Sequence, residues 1–441
     1  MAPTDASAIA RSRDAAIQAR LAGENPVDYL KRRGYVQDIS NESELRALFE
    51  RETVTGYVGF DPTAASLHVG HLLGIMALAV LQRFGHRPIA LGGGGTALVG
   101  DPSGKTSTRV MLTEESIRSN LKSILPQFDR FLDFRGDRFG DNPAALLMNN
   151  ADWLLELEYI PFLRDIGRHF SVNEMLAAET YKTRLDSGAG LNFVEFNYRI
   201  VQAYDFLHLN QATGCRLQLG GSDQWGNIVA GVDLIRRVES VDAFALVWPL
   251  LTTAGGQKMG KSEGNSVWLD GKLTSPYDFY QYWVNVDDAD VERLLKLYTF
   301  VPDGEIARIT SGSGEELRAA KQVLAREVTA LTHGDAAADE AASAAAALFS
   351  GETTVEQRLS DPNIPSVELP AEPVSVAELF VRAGMTGSRG EARRLAQQGG
   401  LSIDGVRVDD VDQVAPADRP ALLLQVGKKR FKRVDFAGAE S

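Results

Sequence analysis

The sequence predicts an α/β protein with a parallel sheet to about residue 250, an all-helical stretch after it and a small separate module at the end. Three observations predict this. A strand, an apolar helix and a second strand run from residue 53 to 91 and exit into four glycines, the grammar of a parallel sheet. Residues 275–350 lack alternating apolar positions and end in an Ala-rich run, which suits packed helices. Residues 351–373 hold Pro362, Pro365, Pro370 and Pro373, which read as a semi-rigid linker.

The elements follow in order. Residues 1–30 are Ala-rich and mix Arg11, Arg13 and Arg20 with Asp5 and Asp14, so they read as a frayed or helical extension; transit peptides are poor in acids. Residues 53–60 form a short buried strand, Asp61-Pro62-Thr63 a turn, and residues 67–84 an apolar helix. A second strand spans residues 88–91 before Gly92 to Gly95. Helices are expected at residues 152–167, 196–209 and 226–237, with a strand at 216–219. Ligands of such sheets sit at the carboxyl ends of the strands, which directs attention to residues 60–63 and 92–105.

Composition excludes several classes. The 441 residues carry 44% hydrophobic and 24% charged side chains and a net charge of −13, ordinary for a globular enzyme of more than one domain. The longest apolar run, Leu72 to Leu81, is far too short to span a bilayer, and with no apolar stretch just after Met1 no secretion signal is expected. A single cysteine, Cys215, excludes an intrachain disulfide and a multi-cysteine zinc site, so a cytoplasmic location is expected.

Several small motifs carry chemistry. His68-Val69-Gly70-His71 sets two imidazoles at the start of a helix, where unpaired amides favour an anion. Zinc helices space their histidines differently and add a glutamate, so metal is the weaker reading. A pair of capping or core histidines is the bland one. Gly92 to Ala97 fits a dinucleotide fingerprint only loosely, and Gly100 to Thr106 misses the P-loop spacing by one residue. Small residues there still let a backbone approach a ligand, with Lys105 and Arg109 as nearby cations for a polyphosphate. Lys258-Met259-Gly260-Lys261-Ser262 places two lysines in a Gly-flanked loop, either a solvated loop or a clamp on developing phosphate charge. Tyr198, Gln202 and Asp205 share one stripe of an otherwise apolar helix, which suits a wet pocket better than a solvated face.

Together the His-Val-Gly-His and Lys-Met-Gly-Lys-Ser segments resemble the two signatures of class I aminoacyl-tRNA synthetases. With Tyr57 to Thr63, Gly100 to Lys105, Gln202 to Asp205 and Gly220 to Gly226, the chain resembles the bacterial tyrosyl-tRNA synthetases over about residues 31–436. The resemblance implies a Rossmann-like catalytic domain at 31–250 and a mobile loop region at 251–274. It further implies a helical anticodon-side domain at 275–350, the linker, and a small α+β RNA-binding module at 374–441. The implied activity joins L-tyrosine to ATP as tyrosyl-adenylate, releases pyrophosphate, and passes tyrosine to the 3′ end of tRNA(Tyr). Mg²⁺ would arrive with ATP, with no tightly bound cofactor and no dedicated metal site, and a homodimer without membrane contact is implied.

By the same resemblance, Thr63, His68, His71, Lys105, Arg109, Lys258, Lys261 and Ser262 would serve catalysis on the pyrophosphate side. Gly59, His68, His71, Gly221, Asp223 and Lys261 would hold ATP. Tyr57, Asp61, Asp101, Tyr198, Gln202, Asp205 and Gln224 would hold tyrosine, with Tyr198, Gln202 and Asp101 around the ammonium and Tyr57 with Asp205 at the phenol. Phenylalanine would leave those polar groups unpaired, a form of discrimination for which this enzyme family is itself the standard case. Gly260 and Val69 depart from the usual signatures without removing a charge or an imidazole.

The last module resembles a small RNA-binding unit first known from a ribosomal protein. Residues 375–436 carry 11 Lys and Arg against 8 Asp and Glu, a net +3 inside an acidic chain. Arg389, Arg393 and Arg394 on one helix, with Lys428, Lys429 and Arg430, are the expected tRNA contacts. Cutting after Ala371 is expected to remove the module.

Overall fold

The computed structural model describes residues 14–101, 112–186, 188, 191–252, 259, 261–262, 265–349, 354–360, 364–416, 419–427 and 430–437. Lys105, Arg109, Lys258, Lys428 and Lys429 lie outside them, as do the side chains of Lys261 and Ser262.

A six-stranded sheet organises the first unit: β1 (Asp38–Ile39), β2 (Thr55–Phe60), β3 (Arg87–Gly92), β4 (Leu146–Asn149), β5 (Cys215–Gly221) and β6 (Phe244–Trp248). Its order is β1-β6-β5-β2-β3-β4, parallel except where β1 runs against β6. The chain leaves β2 for β3 on one side and later returns to β5 on the other. The carboxyl ends of β2 and β5 therefore flank the switch point at which such sheets hold ligands.

Helix α1 (Val69–Arg83) follows β2 and is buried over nearly its whole length, which its unbroken apolar run requires. Helix α2 (Phe193–Thr213) begins with an Asn192/Glu195 capping box and stops at Gly214, whose φ of 68° is the left-handed cap that favours glycine. Helix α3 (Trp225–Glu239) returns the chain to β6. Phe206 of α2 packs with Tyr57, Ile89, Leu217's neighbour Cys215 and Ile228 in a core between sheet and helices.

Several expectations need correcting. The helix expected at 152–167 is divided into Ala151–Leu154, Tyr159–Asp165 and a 3-10 turn at Gly167–His169; Pro161 cannot bond back into a preceding turn. β4 was not foreseen. Of the two readings of the extension, frayed or helical, the described part from Asp14 on takes the helical one: Asp14 caps the helix Ala15–Leu21 and pairs with Arg83 at 2.6 Å, and Arg83 lies over the rings of Phe139 and Phe300.

Contacts divide the chain into two units, one joining Tyr282–Thr332 to the chain up to Thr274, the other joining Ser275–Gln281 to the chain from His333 on. After the hairpin strands β7 (Lys261–Ser262) and β8 (Asn265–Ser266), the second unit holds a sheet of β9 (Ser366–Pro370), β10 (Leu401–Ile403), β11 (Val406–Arg407), β12 (Ala421–Val426) and β13 (Arg430–Ala437). β9 falls inside the stretch read as a linker, yet it pairs in parallel with β13 along Ser366 to Pro370. It is an edge strand in the sheet order, where proline is tolerated, so the Pro-rich signal did not exclude a strand. A cut after Ala371 would leave β9 behind without its partner; clean removal of the module has to begin before Thr354, ahead of the helix Val355–Ser360. Among the described residues, no helix is long and apolar enough to cross a membrane.

Candidate active site

The pocket is built where β2 and β5 end. Tyr57 and Gln218 are register partners on these strands, so their side chains stand side by side on one face of the sheet. Tyr57 meets Phe206 edge to face with centroids 5.4 Å apart, and both Tyr57 Oη and Gln218 Oε1 are buried without a hydrogen-bond partner. Across from them, α2 turns its polar stripe inward. Tyr198 and Asp205 are buried, and Gln202 Oε1 is a third buried polar atom without a partner. Buried polar groups are nearly always satisfied, so orphaned oxygens facing a strand end are the mark of a polar ligand's seat.

A continuous hydrogen-bond chain frames that seat. Tyr198 Oη donates to Asp61 Oδ2 at 3.2 Å, and Thr96 Oγ1 donates to Asp61 Oδ1 at 2.7 Å. Asn150 Nδ2 reaches Thr96 Oγ1 at 3.0 Å and Asp205 Oδ2 at 2.8 Å, while Trp153 Nε1 donates to Asp205 Oδ1 at 2.7 Å. Asn150 Oδ1 is held in turn by the Gly95 amide at 2.7 Å. Both Asp205 oxygens thus accept a fixed N–H. Burial pushes the Asp205 carboxyl up to about 7, opposed by the hydrogen bonds from Asn150 and Trp153. The Asp205 charge also reaches Tyr57, whose phenol burial already raises far above its usual range.

Among Gly92 to Gly95, at the end of β3 and just after it, Gly93 is required by close approach. A Cβ at Gly93 would sit 2.0 Å from Asp61 Oδ1 and 2.6 Å from Thr96 Oγ1. Gly93→Ala is therefore expected to displace Asp61 and raise the tyrosine KM about ten-fold or more, the consequence of roughly ångström misplacement in a positioned site; steady-state kinetics with tyrosine varied check it.

At the other end of the pocket, His68 caps α1. Its Nδ1 accepts the Gly70 amide at 3.0 Å, while His71 Nδ1 accepts the His68 amide at 3.2 Å and the rings stack at 3.9 Å. Burial, reinforced by His68, pushes His71 down to about 3, so its ring is neutral near pH 7. In a neutral ring whose Nδ1 accepts, the proton sits on Nε2. The capping reading and the anion reading are therefore compatible: each histidine caps with one nitrogen and carries a donor on the other.

The two signature segments meet here. The Val69 amide bonds the Val267 carbonyl at 3.0 Å, His68 bridges Trp268, and the Met259 carbonyl lies 3.7 Å from the Cβ position of Gly70. Thr63 is exposed just beyond β2, with its amide on the Asp61 carbonyl at 2.8 Å. At the end of β5, Gln224 Nε2 donates to Asp101 Oδ2 at 2.7 Å and Asn227 Nδ2 donates to Gln224 Oε1 at 3.2 Å. Gly59 and Gly221 close this side; a Cβ at Gly221 would meet Asp223 Oδ1 at 2.6 Å, whereas one at Gly59 would meet nothing within 4 Å. Glycine at 59 is thus not demanded by the protein's own packing.

Thr96, Asn150, Trp153 and Gln218 were missed in the sequence. Gln218 had one available signal, a polar residue between the buried Leu217 and Leu219. In the second unit, Arg389 and Arg393 lie on one helix, Arg389–Gln397, and are paired with Glu378 at 2.5 Å and Asp412 at 2.6 Å on an exposed surface. Arg394 shares that helix, and Arg430 begins β13. Among the described residues no cluster of His, Cys, Asp or Glu could hold a metal.

Comparison with known proteins follows the same lines. A family described as tRNA synthetases class I (W and Y) matches residues 50–350, and one described as the tyrosine–tRNA ligase SYY-like C-terminal domain matches residues 355–434. The chain is 50% identical over 417 residues to a tyrosine–tRNA ligase of Clostridium beijerinckii, covering 93% of this chain and 99% of the relative. It is 50% identical over 430 residues to one from Desulfosudis oleivorans, covering 92% and 98%. Among solved structures, a C-terminally truncated mitochondrial tyrosyl-tRNA synthetase of Aspergillus nidulans superposes with a TM-score of 0.68 at 31% identity, over 77% of this chain and 99% of that one. A family match across both parts of the chain and relatives covered almost end to end at half identity agree with a site holding a buried carboxylate and a buried tyrosine hydroxyl, and the chain belongs to the tyrosine–tRNA ligases of the class I aminoacyl-tRNA synthetase family.

Proposed function

We infer that the chain activates L-tyrosine with ATP to tyrosyl-adenylate and passes the tyrosyl group to the 3′ end of tRNA(Tyr), with the residues above in assigned roles. The observation that carries this reading is the buried Asp205, whose charge reaches the unpartnered Tyr57 hydroxyl, a combination suited to a ligand hydroxyl in an apolar surround. The phenol donates to Asp205 and accepts from Tyr57. Tyr198, Gln202, Asp61 and Asp101 give the amino-acid end acceptors and a negative field for an ammonium. Gln224, oriented by Asn227 and Asp101, stands where the carboxylate meets the α-phosphate.

The substrate carboxylate is the nucleophile, so no enzyme nucleophile is needed and catalysis rests on positioning and on charge stabilisation of pyrophosphate. His68 and His71 supply Nε2 donors at a helix N-terminus, with Thr63 alongside. Lys258, Lys261 and Ser262, with Lys105 and Arg109, complete the clamp in this proposal. The open space over Gly59 admits the ribose, with Gly221 and Asp223 opposite. Mg²⁺ enters with the ATP phosphates, which fits oxygen donors shared with substrate rather than a protein cage.

The second unit contacts tRNA through Arg389, Arg393, Arg394 and Arg430, with Lys428 and Lys429. Exposed ion pairs are worth little, so Glu378 and Asp412 yield readily to phosphate. The exposed apolar side chains Leu155, Tyr159, Ile160, Val172, Phe193 and Val194 suit a homodimer face, and the cytoplasm is the setting. Domain roles follow the matched segments, with helices of 275–350 on the anticodon side.

Exchange of labelled pyrophosphate into ATP without tRNA tests the activation step. Exchange with tyrosine but not tryptophan or phenylalanine is expected; exchange with tryptophan alone would overturn the pocket assignment. A chain ending before Thr354 is expected to keep this exchange and to lose ten-fold or more in tRNA charging at 150 mM salt, about what several lost phosphate contacts cost.

A further inference from the structure

We infer that His208 is a positioning residue for tyrosine recognition, holding the Trp153 indole so that its N–H stays on Asp205. The proposal rests on the reading of Asp205 as the carboxylate that meets the phenol.

Trp153 belongs to a helix of four residues, Ala151–Leu154, that has no side-chain cap. So short a helix does not hold its own shape, and the direction of the indole has to be fixed by what packs on it. His208 does this. It lies one turn beyond Asp205 on α2, and its ring is nearly parallel to the indole, 18° apart with centroids at 4.3 Å. The stack places on one rigid helix both the carboxylate that receives the indole N–H and the ring that orients it. His208 is itself braced by Tyr204, 6.3 Å away, whose ring meets Phe162 edge to face at 5.7 Å.

The consequence is specific. Asp205 has two oxygens, one held by Asn150 and one by Trp153, and each N–H stabilises the charged, correctly turned carboxylate. If the indole swings, the Trp153 bond is lost and the carboxylate rotates away from the phenol. ATP binding, at the other end of the pocket, is not involved. His208 touches no substrate atom, so its effect should fall on tyrosine KM and on the preference for tyrosine over phenylalanine rather than on kcat.

The test uses the full-length protein in pyrophosphate exchange. His208→Ala is expected to raise the tyrosine KM about three- to ten-fold, the worth of one aromatic pair, with kcat and the ATP KM within about two-fold of the parent. The tyrosine-over-phenylalanine preference should narrow by a similar factor. His208→Phe, which keeps a flat ring, should restore both. An unchanged tyrosine KM in His208→Ala, or a raised one that His208→Phe fails to restore, overturns the positioning role. Asp205→Asn run beside them separates the two layers: impairment there with a normal His208→Ala sinks this inference alone, and no impairment in Asp205→Asn sinks the reading of Asp205 with it.

Discussion

Asp205→Asn is expected to lower kcat/KM for tyrosine about 10³-fold while leaving the ATP KM nearly unchanged. The amide turns one N–H₂ toward a neighbour that already donates, Asn150 or Trp153, so one buried donor loses its acceptor. The charged acceptor for the phenol is lost as well. A charge-assisted bond is worth about 1.5–3 kcal/mol and an orphaned buried donor costs about 1–3 kcal/mol, together roughly 4 kcal/mol or three decades. Stability should move the opposite way. Burial raises the Asp205 carboxyl from 3.8 to about 7, so its contribution to folding is fully present below pH 4 and is lost as pH rises through 7. Thermal melts of the unliganded protein should therefore show Asp205→Asn gaining on the parent between pH 4 and 7 and holding its gain at pH 8, a gain of at most about 4 kcal/mol for three units. Tyrosine binding follows the same titration in reverse. The ionised carboxylate accepts the phenol proton, so the tyrosine KM of the parent should rise as pH falls below 7.

The parts of this site that were legible in the sequence are those whose pattern and chemistry coincide. The run from Leu72 to Leu81 is apolar all round, so α1 had to be buried, and the strands on either side of it followed. Tyr198, Gln202 and Asp205 interrupt an apolar helix on one stripe, and that stripe does face inward. Asn150, Thr96 and Trp153 carried no such signal. Trp153 lies in a four-residue helix, Thr96 in another after the glycines, and Asn150 is the single residue between β4 and the helix Ala151–Leu154, segments too short for any period to show. Their importance is tertiary: all act through Asp205 or Asp61. Gly92 to Ala97 fits a dinucleotide fingerprint only loosely, and Gly93 makes room for the Asp61 carboxylate of the protein itself. β9 was hidden by its prolines, which mark a linker and an edge strand alike.

The proposed function gives His68 a second duty beside its cap, and substitution can pull the two apart. As the N-cap of α1 its Nδ1 satisfies the Gly70 amide, so in the neutral ring the proton sits on Nε2. His68→Ala removes both: about 1 kcal/mol of stability for the cap and about 10²- to 10³-fold in kcat for a donor aimed at developing charge. The tyrosine KM should stay within about two-fold, because the loss falls in the transition state rather than in substrate binding. His68→Asn decides between the duties. Its side-chain oxygen caps the helix as well as any residue does, so thermal stability should return to the parent value, but its shorter amide cannot place a donor where the imidazole Nε2 stood, so kcat should remain depressed by at least about ten-fold. Recovery of kcat together with stability would mean that His68 serves the helix alone and that the phosphate donor must be sought in His71, whose ring stacks on it and stays neutral throughout the working pH range.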